Sequence, residues 1–308
     1  MKSYDIVIFG NYTSDTIIQF GIKRHVDGGG FNYGAHAAAM MGLKVATVTR
    51  LQQADIRVVK KLENIGIDVY PTFTPSSTQM ILDYPTDNPD ERILTCPATA
   101  GSYTPEQFDG LQAKAFLING SIRDEVPVNV VESLRKKGGL LVADAQTFVR
   151  IVGQESRLIN AEWPEKKTVL AMIDILKADA VEAESLTGEK DHQTAARILA
   201  SWGPKEIVLT HRDGILVYDG KSFYSAGFFP KAMIGRSGRG DTCIASYAAA
   251  RLSKPPAEAI IWSGAVTSLK MESDGPFLRP MSDVEELIRN KYQLQMNLPD
   301  ASIGVSYW

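Results

Sequence analysis

Cysteine is scarce in this chain: only Cys96 and Cys243 occur, in unrelated contexts, with no CxxC pair and no Cys/His spacing suited to a metal. A disulfide framework and a thiolate metal site are both excluded, and a reducing, cytoplasmic setting is expected. Histidine is also rare. The four residues, His25, His36, His192 and His211, show no ligand spacing and read as solvated or hydrogen-bonded side chains. Positive charge is in no surplus: 33 Lys and Arg against 36 Asp and Glu leave a formal net charge of -3, so the basic face that a phosphate backbone demands is missing and no nucleic-acid partner is expected. No apolar run reaches the roughly 18 residues of a membrane span. The opening "MKSYDIVIFG" lacks a charged segment followed by a long apolar one, so neither export by that route nor membrane insertion is expected. No GxxxxGK[ST] occurs, and Gly235, Gly238 and Gly240 do not have the GxGxxG spacing, which removes the P-loop and the dinucleotide fingerprint. There is no internal repeat. A chain of 308 residues, 44% of them hydrophobic, can still bury a substantial core, and a small ligand is the better expectation.

What is present is rhythm. Short runs rich in Val, Ile and Leu, "DIVIFG", "KVATVTR", "KAFLING", "GLLVADA", "DILKADA" and "EIVLTH", alternate with segments of helical period. Those segments are Phe31 to Gly42, Ala54 to Ile65, Val126 to Lys137, Gln193 to Trp202 and Asp241 to Ser253, each long enough to cross over between parallel strands. The pattern predicts a doubly wound α/β fold, a mostly parallel sheet with helices on both faces. Two stretches break the rhythm, "TIIQFGIKRHV" and "VYPTFTPSSTQMILDYPTDNPDERILTC"; the second carries alternating strands around a Pro/Asp/Asn-rich turn. Together they are expected to form a small β-lid over residues of about 16–26 and 69–96.

Two glycine clusters open Ala-rich helices. In "IGRSGRGDTCIASYAAARL", Gly238 and Gly240 let the backbone approach a ligand, and the helix start offers unpaired N–H groups with partial positive charge. A bound phosphate would repel Asp241, so its carboxylate makes sense as a base taking a proton from a hydroxyl while the N–H groups stabilise a transferring phosphoryl group. An aspartate N-cap on a buried helix is the alternative reading. In "VDGGGFNYGAHAAAMMG", Gly28, Gly29 and Gly30 precede Asn32, which can donate and accept hydrogen bonds to a polyol; a tight strand-to-helix turn explains the same glycines. At other strand ends, where open sheets collect ligand groups, stand Asn119 and Arg123 in "LINGSIRDEVP" and Asp144 and Gln146 in "LVADAQTFVR". Loop polarity alone accounts for them equally.

"DGGGFN" with its Ala-rich helix and "MMG", "KADAVEAESLTGE", "IVLTHRDGILVY" and "GRSGRGDTCIASY" follow in the order and spacing that resemble the ribokinase-like, or phosphofructokinase B type, carbohydrate kinases. The resemblance spans nearly the whole chain. It implies a single kinase domain over residues 1–308, transfer of the γ-phosphoryl group of ATP to a hydroxyl, and Mg2+ as the metal. By the same resemblance Asp241 is the catalytic base, and Gly238, Arg239 and Gly240 form the anion hole. Asp15 in "GNYTSD" stands where the family binds substrate hydroxyls, with a turn or cap residue as the alternative. The NxxE motif appears as Asp179 to Glu182, a pair that would hold Mg2+ through water, or simply an acidic first turn suited to the helix dipole. Thr210 and Gly214 are what remains of the nucleotide-contacting turn, shortened here to "THRDG". Gly235 stands in place of an aspartate, and Arg239 in place of an alanine, in the region through which a monovalent cation activates some members, so the resemblance does not decide whether such a cation acts here.

"GGGFNY", "RDEVP" and "VADAQTFVR" look like the branch containing archaeal-type myo-inositol kinases, which points to a small polyhydroxylated substrate, a cyclitol or sugar. A nucleoside kinase of this family and a catalytically silent sugar- or nucleotide-binding protein are the rival readings. A homodimer joined through the lid is an open expectation.

Overall fold

The computed structural model describes residues 2–86 and 93–292. Its strands are β1 (Lys2–Phe9), β2 (Thr13–Gln19), β3 (Ile22–Gly28), β4 (Val45–Leu51), β5 (Asp68–Phe73), β6 (Thr78–Tyr84), β7 (Ile93–Ala98), β8 (Leu111–Ile118), β9 (Leu140–Asp144), β10 (Arg150–Val152), β11 (Leu158–Asn160), β12 (Ile175–Asp179), β13 (Glu206–Thr210), β14 (Gly214–Tyr218) and β15 (Phe223–Gly227). Its helices are α1 (Gly30–Met40), α2 (Ile56–Glu63), α3 (Val128–Lys137), α4 (Gln146–Val149), α5 (Lys166–Leu170), α6 (Ala180–Thr187), α7 (His192–Ser201), α8 (Arg239–Arg251), α9 (Pro256–Met271) and α10 (Met281–Lys291).

The apolar runs pair as the sequence predicts. β1, β4, β8, β9, β12 and β13 are mutually parallel in a nine-stranded sheet of order β15-β14-β13-β12-β9-β8-β1-β4-β5. β14 and β15 turn the far edge antiparallel, because the short Thr210-to-Gly214 connection allows only a hairpin. Alternation along β1 shows why its run is continuously apolar. Ile6 and Ile8 enter one core with α1, α2, α8 and α9, while Val7 and Phe9 enter the other with α3 and α7. All four are fully buried, and each such side chain contributes about 1.5–3 kcal/mol.

β2, β3, β6 and β7 form a separate four-stranded sheet of order β3-β2-β6-β7, the expected lid. Its boundaries need correction. Residues 69–73 pair with β4 in the main sheet, from Val69 opposite Thr47 to Phe73 opposite Leu51, so the second lid segment begins at β6. Residues 87–92 of that segment lie outside the described residues. Ile17, Met80, Leu82, Cys96 and Ile122 give the lid an apolar core of its own, extended by Val152 and Leu158 from the unpredicted β10–β11 hairpin.

Candidate active site

Parallel strands deliver their carboxyl ends to one edge of the sheet, and α1 and α8 begin beside that edge with their glycine turns. The two helices touch closely: a Cβ on Gly34 would fall 3.2 Å from that of Ala245. Between them and the lid lies a cleft of about 420 Å³. Of the residues singled out in the sequence, Asp15, Gly29, Asp179, Thr210, Gly238, Arg239, Gly240 and Asp241 line it.

Asp15 is not a turn or cap residue. It lies within β2, only 9% exposed, with Oδ1 buried and unpartnered. Burial pushes its carboxyl up to about 7; the Thr13 hydroxyl draws it down, and repulsion from Asp241 and Asp27 adds to the rise. Gly28 makes room for it, since a Cβ there would meet Asp15 Oδ2 at 2.2 Å. A buried, orphaned carboxylate oxygen in a cleft is set to accept from a ligand.

Asp241 occupies the first turn of α8, whose N-cap is Gly238 at φ 75°. The aspartate caps nothing, which removes the N-cap alternative, and only the absence of a Cβ lets Gly238 approach the Tyr33 ring, which a Cβ would strike at 2.2 Å. By helix geometry the first-turn amides of Gly240 and Asp241 lack an intrahelical acceptor. Burial raises the Asp241 carboxyl above its usual range, while Lys177, Arg150 and Lys270 pull it back. Gln146 reaches it across the cleft at 3.5 Å.

Behind Asp241 stands a buried ionic cluster that the sequence reading missed. Lys177, 3% exposed in the middle of β12, donates to both oxygens of Asp144 at 3.1 and 3.0 Å and lies 3.7 Å from Glu182. Burial opposes its charge, but Asp144, Glu182 and Asp179 together hold its ammonium above the usual lysine range. A lysine inside the apolar run "DILKADA" was the visible signal. Arg150, Arg212 and Arg236 also line the cleft, beside His211.

Asp179 and Glu182 form a capping box. The Asp179 side chain accepts from the Glu182 amide and the Glu182 side chain from the Asp179 amide, each at 2.8 Å. Glu182 is 2% exposed and turned toward Lys177 and Arg150, whereas Asp179 borders the cleft. Among the described residues no group of three or more His, Cys, Asp or Glu forms a metal nest. A hard cation would therefore find Asp179 and water, not Glu182.

Other expected residues stay outside the cleft lining. Arg123 donates to the carbonyls of Phe148 and Ala161, the latter at 2.8 Å, and serves as a brace for the loop there. Asn32 donates to Asp27 O at 3.0 Å. Asn119 is fully buried against Gly30, its side-chain atoms unpartnered. Gly214 is committed to the β14–β15 pairing. The residues that sequence reasoning did not find, Met80, Leu82, Tyr84 and Leu94 of the lid with Leu158, give the lid side of the cleft an apolar roof.

Comparison with known proteins agrees with this arrangement. A cytidine kinase from Thermococcus kodakarensis is 27% identical over 275 residues, covering 84% of this chain and 93% of that one. A pyrophosphate-dependent kinase in the ribokinase family, solved with a pyrophosphate analogue and myo-inositol, is 31% identical with a TM-score of 0.84, covering 91% of this chain and 99% of that one. The Arabidopsis thaliana ribokinase complexed with ribose and ATP shares the fold, with a TM-score of 0.74 at 17% identity over 94% of this chain and 99% of that one. No described helix is long and apolar enough to cross a membrane. The family model of the pfkB carbohydrate kinases matches residues 6–277, and the chain belongs to that family of phosphotransferases.

Proposed function

We propose that this kinase transfers a phosphoryl group from pyrophosphate to a hydroxyl of a cyclitol of the myo-inositol type. The observation that carries the donor reading is the character of the cleft around the second glycine turn. Arg150, Lys177, Arg212, Arg236 and Arg239 gather there, with His211 beside them as an imidazole that burial holds neutral, and the apolar lining belongs mainly to the lid. Such density of positive charge suits a compact polyanion, held through charge-assisted hydrogen bonds, better than a nucleotide whose base needs a slot of its own. The myo-inositol and pyrophosphate analogue bound by the relative described above support the same reading. ATP, the donor expected from the sequence, is the alternative that the experiment must separate.

In the reaction, the acceptor lies under the lid with its hydroxyls directed to Asp15. Asp241 takes the proton of the attacking hydroxyl as the new O–P bond forms, the P–O–P bridge breaks, and its electrons leave with orthophosphate. The Gly240 and Asp241 amides and the surrounding cations bear the charge of the transferring group. Asp179 is the residue that would hold Mg2+ through water, and the bound ion would neutralise charge on the donor oxygens. A nucleoside acceptor is the second reading, because Met80, Leu82, Tyr84 and Leu94 offer a planar base an apolar cover and one relative is a cytidine kinase. The test is a matrix of pyrophosphate and ATP against myo-inositol, ribose and cytidine, read by phosphorus NMR of the products. Inositol phosphate with orthophosphate is expected; turnover with ATP alone ends the donor reading, and preference for cytidine ends the acceptor reading.

A further inference from the structure

Lys270 lies in the last turn of α9 and is 1% exposed. Burying an ammonium so deeply is costly unless its charge is met. Among the described residues it makes no ion pair. It donates instead to two main-chain carbonyls of the turn that precedes α8, Gly235 O at 2.9 Å and Ser237 O at closer range. The Tyr33 ring presents its face 5.3 Å from the same nitrogen. Burial draws its pKa down to about 8; Asp241 and Asp274 favour the charge from farther off and Arg24 opposes it, so the ammonium is the prevailing form at neutral pH. The end of α9 adds the negative pole of its dipole.

The carbonyls are what make this arrangement informative. Gly235 and Ser237 flank Arg236 and lead directly into Gly238, the left-handed residue on which the anion hole is built. Two carbonyl oxygens converging on one point repel each other and need a cation between them. The turn is also fastened to α9 by the Ile234 and Gly235 amides, which donate to Met271 O at 2.9 and 3.1 Å. A free monovalent ion does not fit this environment, because an ammonium on a covalent tether already stands on the oxygens such an ion would use.

We infer that Lys270 is a resident monovalent cation: its ammonium fixes the carbonyls of the glycine turn, aims the Gly240 and Asp241 amides at the transferring phosphoryl group, and makes the kinase indifferent to potassium and sodium. Lys270 acts through the turn and is a positioning residue. A tethered charge also carries no binding equilibrium, so the anion hole stays assembled at any salt composition.

The inference rests on the phosphoryl-transfer reading and is tested in two arms. In the first, wild-type turnover is followed at constant ionic strength while potassium, sodium or ammonium replaces tetramethylammonium; the rate is expected to change by less than about twofold, since only general screening is left. Activation by potassium over that baseline overturns the inference, and this arm needs no variant. In the second, Lys270→Ala is expected to lower kcat by about 100-fold, as a misplaced catalytic turn does. Ammonium or potassium, but not tetramethylammonium, then restores kcat by about tenfold or more, because a small cation can regain the two carbonyls that hold the anion hole in place. A folded Lys270→Ala protein, judged by its thermal unfolding, that no small cation rescues overturns the inference. Should the wild type turn over no donor and acceptor pair, it is the functional reading that fails; the same two arms are then read as pyrophosphate affinity by calorimetry, with the same outcomes deciding.

Discussion

The two glycine turns are built alike and, in the proposed reaction, do opposite things. Each leads into a buried Ala-rich helix, and the two helices pack side by side. The turn before α1 faces the carboxylate of Asp15 and an apolar lid, whereas the turn before α8 faces Lys177 and Lys270 and is followed by Asp241. A glycine turn at a helix start supplies only room and N–H groups; the charges around it decide whether a hydroxyl or a phosphate is held there. The turn before α1 sits against a carboxylate that accepts hydrogen bonds, and the turn before α8 sits among ammonium and guanidinium groups that give them.

The contrast breaks most sharply at Asp241. Asp241→Asn is expected to keep the fold and donor binding while lowering kcat by about 100-fold to 10,000-fold, the range for loss of a general base. Stopped-flow kinetics and calorimetric donor titration check it, and near wild-type turnover would remove the base from the account. Lys177 is next. Lys177→Met leaves Asp144 buried without its cation and Glu182 with Arg150 alone, and is expected to cost about 3–5 kcal/mol of stability in a denaturant titration at neutral pH. Burial holds both carboxyls above their usual range, so in the variant they take up protons as the pH falls and the loss shrinks. A loss that is the same at acid and neutral pH would show that unpaired charge is not its cause.

Asp15 sharpens the comparison with a smaller effect. Its carboxyl is pushed up to about 7, and the ionised form is the one that accepts hydroxyl bonds, so kcat/KM for the acceptor should climb as the pH rises through that region. Asp15→Asn is expected to lower kcat/KM at pH 8 by about 10-fold to 100-fold, the worth of a charged hydrogen bond, with KM rather than kcat carrying the change. The remaining acid limb should move to lower pH, because the repulsion between Asp15 and Asp241 is mutual. An unmoved limb would separate the two carboxylates.

Which parts of this were legible in the sequence follows from the range of the forces involved. Continuous apolar runs revealed the parallel strands, since a strand buried on both faces leaves no other choice. The glycine turns were visible because backbone demands are local. Lys270 was not, because "SLKMES" reads as an ordinary basic helix end, and the carbonyls it meets lie 35 and 33 residues away. Arg123 misled for the opposite reason. It stands at a strand end, where ligand groups collect, but its long side chain reaches past the cleft to two loop carbonyls. Asp179 and Glu182 satisfied a metal pattern and a capping pattern at once, and only the orientation of each carboxylate separates the two roles. Residues 69–73 alternate like the lid strands, yet they pair with β4, a choice made by tertiary contacts and not by period.

Hydrogen exchange with each ligand added alone tests the division of labour between the turns most directly. Pyrophosphate is expected to slow amide exchange across residues 236–242 and leave the lid unchanged, while myo-inositol slows exchange in β2, β6 and the Gly29 to Phe31 turn and leaves residues 236–242 unchanged. Protection of both turns by one ligand, or of the lid by pyrophosphate and the α8 turn by myo-inositol, would contradict the account.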